Sequence, residues 1–208
     1  MIRAVFFDVG GTLIHPWPSV GAVYARVGEQ FGIHRTPEEL EHAFRSAWKE
    51  SKRGATTTSD KEWWRALVNR VVPDARAGYF EALYEAFALP EAWQVYLDVR
   101  STLHALRSTG RHVGVISNWD ERLRPLLERL ELSRYFDSLT ISCEVGAEKP
   151  AAEIFRAALD AAGVMPAEAL HVGDSASEDV SGAEAAGMQV RLVRQTATDG
   201  ITSVAACV

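Results

Sequence analysis

The stretch "IRAVFFDVGGT", residues 2–12, decides the fold. Its opening six residues form an apolar run interrupted only by Arg3, the length and character of a strand buried on both faces of a sheet. The run stops at a carboxylate, Asp8, and continues through Val9, Gly10, Gly11 and Thr12. An acid at a strand end followed by two glycines and a threonine suits two phosphate chemistries. In one, the glycines wrap nucleotide phosphates and the acid helps to hold a metal; in the other, the acid itself attacks phosphorus. These residues alone do not choose between them.

Working outward, four later segments, 113–117, 139–142, 170–173 and 189–193, have the same short apolar character. Helical patterns fill the intervals at 99–108, 121–130, 151–162 and 178–186, several stopped by glycine. Strands alternating with helices predict right-handed crossovers and a parallel sheet covered on both faces. The fold class expected is therefore α/β, a Rossmann-like parallel sheet core. About 105 residues separate the first strand from the second, far more than one crossover needs. They carry helix-like stretches at 19–31, 37–52, 60–71 and 76–87, jointed at Gly32, at "SKRGATTTSD" and at Pro73-Asp74. A core made of residues 1–14 and 93–208, with an inserted helical cap domain over 15–92, follows.

The chain has 208 residues, 47% hydrophobic and 24% charged, which is ordinary for a globular protein. That length leaves little room for two full-sized nucleotide-clasping halves, which weighs against the nucleotide-wrapping chemistry. A net charge of -6 with scattered basic residues argues against nucleic acid. No apolar stretch approaches the ~20 residues of a membrane span, and no leader pattern opens the chain. A cytoplasmic protein is expected, and a monomer is consistent with the sequence. Cys143 and Cys207 lack metal-ligand spacing and are expected to be reduced, partly buried thiols.

In a parallel sheet, ligands bind where loops leave the carboxyl ends of the strands. The residues there are Asp8, Ser117-Asn118, Glu144 and Lys149, and Asp174-Ser175, with Asp179 nearby. Acids, a hydroxyl and a lysine so gathered suit a hard cation and a phosphoryl group. Asp8 and Asp174 could supply carboxylates to Mg²⁺. Ser117 and Lys149 could bind phosphoryl oxygens, and the backbone N–H groups of residues 10–12 could approach an anion closely. Taken singly, a strand-end Ser is more often a cap, Lys149 a surface lysine before a helix, and Asp174 an N-cap. Their joint occurrence at successive strand ends carries the reading.

In this order, "FFDVGGTL", "VGVISN", "EKP" and "HVGDSASEDVSGAEAAG" resemble the four motifs of the haloacid dehalogenase-like superfamily, in its helical-cap branch. The resemblance covers about residues 1–14 and 93–195; residues 15–92 match the family's cap only in position, length and helicity. It implies a Mg²⁺-dependent phosphatase acting on a small phosphorylated metabolite. Asp8 would be nucleophile and metal ligand, with the Gly10 carbonyl and Asp174 as further ligands. Gly11, Thr12, Ser117, Asn118 and Lys149 would contact phosphate, Lys149 would bridge it to the nucleophile, and Asp179 would support the metal site or orient Lys149. Cap closure would exclude water and select substrate.

One position departs from the family. Its phosphatases usually place a second Asp two residues after the nucleophile, as general acid and then base; here that residue is Gly10. Such help is typically worth ~10²–10⁴-fold in rate, so stable leaving groups such as aryl or acyl phosphates are expected to be favoured. His15 is a candidate substitute acid, although an unrelated loop histidine is the commoner case. Carbon–halogen cleavage, which needs no such acid and no metal, is an alternative. There the second position is usually Tyr and the Asp after the motif-four Gly is absent, whereas Asp174 stands in "VGDS". Phosphonate cleavage would need a cap lysine, for which Lys49, Lys52 and Lys61 are available. A non-catalytic relative that retains the metal and phosphate site is the third reading. Trp17, Trp48, Trp63, Trp64 and Trp93 are expected to pack the helical domain rather than line a pocket, Asp120 to cap a helix, and His171 to be a satisfied core histidine.

Overall fold

The computed structural model describes residues 1–51 and 60–194. Two compact units divide at His15/Pro16 and at Gln94/Val95, so residues 16–94 form one unit and the flanking segments the other. Lys52 and Cys207 lie outside the described residues.

The flanking segments build an α/β unit. Among the described residues of the whole chain seven strands occur, in order: β1 (Ala4–Phe7), β2 (Ile14–Pro16), β3 (Trp93–Val95), β4 (His112–Ser117), β5 (Ser138–Ile141), β6 (Ala169–Gly173) and β7 (Gln189–Leu192). Five of them form one sheet in the order β5-β4-β1-β6-β7, every pairing parallel. This is the Rossmann-like α/β fold that the alternation of strand and helix patterns requires. β1 is the central strand, and all four of its residues are fully buried. Burying Phe6 and Phe7 there is worth about 1.5–3 kcal/mol each. Ala4 and Phe6 face the helices Ala152–Ala162 and Ser181–Ala185 through Ile154, Phe155, Ala158 and Ala183. Helix Val99–Ser108 packs on β4.

Register positions the site. Phe7 lies opposite Val115 on one side and Val172 on the other. β4 continues two residues further, to Ser117, and β6 one further, to Gly173. Ser117 and Asp174 therefore arrive beside Asp8, the residue that follows β1.

Element boundaries differ from the sequence expectations where loops hold the chain. Ser142 does not end β5 but opens the short helix Ser142–Val145, its Oγ accepting from the Trp119 N–H and donating to the Trp119 carbonyl. The expected helix at 178–186 is a π turn over Ala176–Val180 followed by Ser181–Ala185. The Ser175 carbonyl accepts from the N–H groups of both Asp179 and Val180, which widens this turn. β2 and β3 pair as a two-stranded ribbon that the sequence does not announce. Three residues, one of them Pro16, are too few for alternation to register.

The unit of residues 16–94 is helical: Val20–Gly28, Pro37–Glu50, Asp60–Val71 and Tyr79–Ala86. Ser19 caps the first helix, and Thr36 with Glu39 closes a capping box on the second. Val23, Tyr24, Leu40, Leu67, Tyr79 and Leu83 are at the heart of its own core. Trp63, Trp64 and Trp93 pack against that core, as expected, whereas Trp17 and Trp48 are exposed at 46% and 43%. No helix among the described residues is long and apolar enough to cross a membrane.

Candidate active site

Asp8 is fixed at both ends. Its N–H donates to the Val172 carbonyl at 2.9 Å. Its carboxylate Oδ1 accepts from Ser117 Oγ at 2.9 Å and from Lys149 Nζ at 2.7 Å. Lys149, which alone would read as a surface lysine, is 4% exposed. Its ammonium also donates to Asp179 Oδ1 at 2.6 Å. Burial alone would favour the neutral amine, but the carboxylates of Asp8 and Asp179 outweigh it and hold the pKa above the ordinary lysine value.

Asp179 is the hub of this network. Besides Lys149, its Oδ1 accepts from His171 Nε2 at 2.8 Å, and its Oδ2 accepts from the Ser175 N–H at 2.9 Å. Burial opposes its ionisation, yet the hydrogen bond from His171 and the Lys149 charge hold its carboxyl well below the usual range. His171 is fully buried; burial first, then the Lys149 charge, drive its pKa down, despite the pull of Asp179. The ring is thus neutral, and the carboxylate selects the tautomer with the proton on Nε2. Nδ1 is left buried with no hydrogen-bond partner among the described residues. His171 is therefore part of the site network, not the satisfied core histidine expected from its apolar strand. Gly173 permits the close packing: a Cβ there would stand 2.2 Å from Asp179 Cγ.

Asn118 is engaged with the Lys149 backbone. Its Oδ1 accepts from the Lys149 N–H at 2.7 Å, and its Nδ2 donates to the Lys149 carbonyl at 3.0 Å and to Glu178 Oε2 at 3.2 Å. The side chain expected to bind phosphate thus holds the Lys149 loop in place.

Carboxylate oxygens of Asp8, Asp174 and Asp179 lie within 4.8 Å of one another. Burial, then the charges of Asp8 and Asp179, raise the Asp174 pKa to about 7. The residue is solvent-exposed, so water screens part of this repulsion. Three carboxylates facing one ammonium leave an excess of two negative charges, which a divalent cation would neutralise. Asp179 is committed to three donors, so Asp8 and Asp174 are the carboxylates best placed to ligate. The oxygen-only donor set suits Mg²⁺. Gly11 makes room: at φ 80 its missing Cβ would meet Asp174 Oδ2 at 2.4 Å. Thr12 is fully buried in the same loop.

Other candidates lie apart from this cluster or take other roles. Glu144 pairs with Arg124 at 2.7 Å. Asp120 accepts from the Arg122 N–H and guanidinium, one turn ahead of the helix Leu123–Arg129 it was expected to cap. The cap of the Ala176–Val180 turn is Ser175, not Asp174, because the Ser175 Oγ accepts from the Glu178 N–H. His15 packs on Tyr96, ring centroids 4.6 Å apart. Lys61 stands 5.0 Å over the Tyr84 ring, and Lys49 is exposed. Cys143 is exposed rather than partly buried, because its strand gives way to the surface helix at Ser142.

The parallel sheet and the row of polar side chains at its strand ends define a Rossmann-like α/β protein. A family model described as haloacid dehalogenase-like hydrolase matches residues 2–187, and the chain belongs to this family. It is 37% identical over 208 residues to the mouse haloacid dehalogenase-like hydrolase domain-containing protein 3, covering 92% of this chain and 82% of that protein. It is 35% identical to a phosphoglycolate phosphatase of Pseudomonas putida, over 90% of this chain and 67% of that one. A crystal structure of a phosphatase of this family from Thermococcus onnurineus superposes with a TM-score of 0.69 at 30% identity, covering 96% and 89% of the two chains.

Proposed function

We propose that the protein is a Mg²⁺-dependent phosphohydrolase acting on a small phosphorylated substrate through a phospho-Asp8 intermediate. The observation that carries this reading is the asymmetry of the Asp8 carboxylate. Oδ1 accepts from both Ser117 and Lys149, while no hydrogen bond from the described residues reaches Oδ2. One oxygen is held and the other is available to attack phosphorus.

Lys149 and the Ser117 hydroxyl would turn from Asp8 to the phosphoryl oxygens as the substrate enters, exchanging one anionic partner for another at little cost in reorganisation. Asp179, Ser175 and His171 hold the lysine at its post, and Asn118 holds its backbone. The Gly11 and Thr12 N–H groups, expected to contact phosphate, instead donate to the Ile14 carbonyl at 2.8 Å and the Val9 carbonyl at 3.3 Å, and so shape the loop after Asp8. Bound Mg²⁺, on Asp8, Asp174 and the Gly10 carbonyl, would neutralise charge on the transferring group. The Pseudomonas and Thermococcus relatives support phosphate as the group transferred. From phosphoglycolate, the ester in the former's name, the glycolate would leave as an alkoxide, and Gly10 has no proton for it.

The absence of an acid at position 10 also favours a second reading, metal-independent cleavage of a carbon–halogen bond, where the leaving halide needs no proton. A screen of phosphate esters and 2-haloacids with Mg²⁺ or with EDTA separates the two. The phosphohydrolase releases phosphate only with Mg²⁺ and loses all turnover in Asp8→Asn. Halide release that survives EDTA would refute it.

A further inference from the structure

Gly10 is not an empty place. A Cβ added there would stand 3.2 Å from Trp119 Cζ3 and 3.9 Å from Cη2, so the benzo edge of the indole covers the direction any side chain at position 10 would take. Even a Cβ there requires the ring to give by a few tenths of an ångström. The two residues belong to neighbouring loops: Gly10 lies two residues beyond Asp8 at the end of β1, and Trp119 two residues beyond Ser117 at the end of β4. Ser117 Oγ is hydrogen-bonded to Asp8 Oδ1, so the indole lies against a loop that begins at the proposed nucleophile and itself follows the strand that carries Ser117.

Trp119 is also held there. Its N–H donates to Ser142 Oγ, its carbonyl accepts from the same hydroxyl, both at 3.0 Å, and the Cys143 N–H reaches that carbonyl at 3.3 Å. Ser142 is 3% exposed; the Trp119 side chain is only half-buried. A backbone held in this way presents a half-buried indole at the loop that follows the proposed nucleophile.

We propose that Trp119 is a specificity-determining residue that packs against the leaving group, and that the substrate class is aryl phosphate monoesters. This rests on the phosphohydrolase reading. Two independent features converge on it. The loop after Asp8 offers no proton donor at position 10, which favours a leaving group that can depart unprotonated; an aryloxide is far more stable than an alkoxide. The place of that donor is filled by an aromatic ring, which stacks on flat apolar groups and gives nothing comparable to a short alkyl chain. In the transfer, Asp8 Oδ2 forms the bond to phosphorus as the phosphorus–aryl oxygen bond breaks. The electron pair stays on the aryloxide, which takes its proton from solvent. Water then attacks the phospho-Asp8, the phosphorus–Asp8 bond breaks, and the proton lost by the water passes to solvent.

The test compares calorimetric binding of phenylphosphonate and methylphosphonate to the Mg²⁺-loaded protein with release of phosphate from phenyl phosphate. The wild type is expected to prefer phenylphosphonate by ~10-fold or more, the size of a good aromatic contact with its buried area. Trp119→Ala should bring the two affinities within about 2-fold, and Trp119→Phe should keep most of the preference. Trp119→Leu keeps an apolar side chain without the ring, leaves a smaller void than Trp119→Ala, and should behave as Trp119→Ala. A phenyl-to-methyl ratio unchanged in both Trp119→Ala and Trp119→Leu overturns the inference while leaving the phosphohydrolase reading intact. If neither phosphonate binds and no ester releases phosphate, the phosphohydrolase reading falls and takes this inference with it.

Discussion

Lys149→Met is the substitution that most directly probes how the site is held together. It removes the ammonium with little change of volume and leaves Asp8, 7% exposed, and Asp179, 1% exposed, as buried carboxylates without their cation. Two short contacts are lost, 2.7 Å to Asp8 and 2.6 Å to Asp179. Removing one partner of a buried pair costs about 3–5 kcal/mol, because the remaining charge stays desolvated. For an α/β chain of this size that is a fall in Tm of about 6–20 °C. The measurement is thermal unfolding at pH 7.5 in EDTA, so that metal does not mask the deficit. The pH dependence has a definite sign. Asp179 has a depressed pKa in the wild type, so its contribution is complete above the ordinary carboxylate range and is lost only in strong acid. In Lys149→Met the Asp179 carboxylate, having lost the Lys149 charge that lowers its pKa, takes up a proton at higher pH, so the gap between the proteins should narrow on acidification from pH 7 toward 4. At the alkaline end, the raised Lys149 pKa means that the wild type keeps this stabilisation up to and beyond the pH where a free lysine deprotonates. Lys149→Met with Asp179→Asn should be less destabilised than the sum of the single changes. A Tm loss under about 2 °C, or strict additivity in the double variant, would refute the buried triad.

Other perturbations follow from the same geometry. Gly11→Ala puts a Cβ against Asp174 at positive φ; it should cost about 1–3 kcal/mol in urea unfolding and weaken Mg²⁺ binding. Because the Asp174 carboxyl titrates near 7 and must be ionised to hold a cation, added Mg²⁺ should raise Tm clearly at pH 8 and barely at pH 5.5. In EDTA the same raised pKa means that this group's contribution to stability falls as pH rises from about 4 to 7; equal Mg²⁺ shifts at both pH values would contradict this. Gly10→Asp alone should give no gain on alkyl phosphates, since Trp119 fills the space. Gly10→Asp with Trp119→Ala should raise alkyl phosphate turnover relative to Trp119→Ala, and a gain in the single variant would show that the indole moves freely.

The sequence by itself determined the sheet and which side chains gather at its edge. Short apolar runs separated by helical periods fix a parallel order, and a parallel order gathers the residues that end each strand; Asp8, Ser117 and Asp174 are legible for that reason. Lys149 and Asp179 lie in loops and were legible only as company to that row. What the tertiary structure decided is which partner each side chain has. Asp179 is shared among Lys149, His171 and Ser175, Asn118 grips the Lys149 backbone, and Trp119 covers Gly10. Periodicity reports the face on which a strand or helix residue lies. It carries no information on which way a loop side chain turns, or on contacts between residues 30 or more apart in the chain, such as Asn118 with Lys149 and Lys149 with Asp179. Those contacts are set by close packing and by the cost of leaving a buried polar group unpaired.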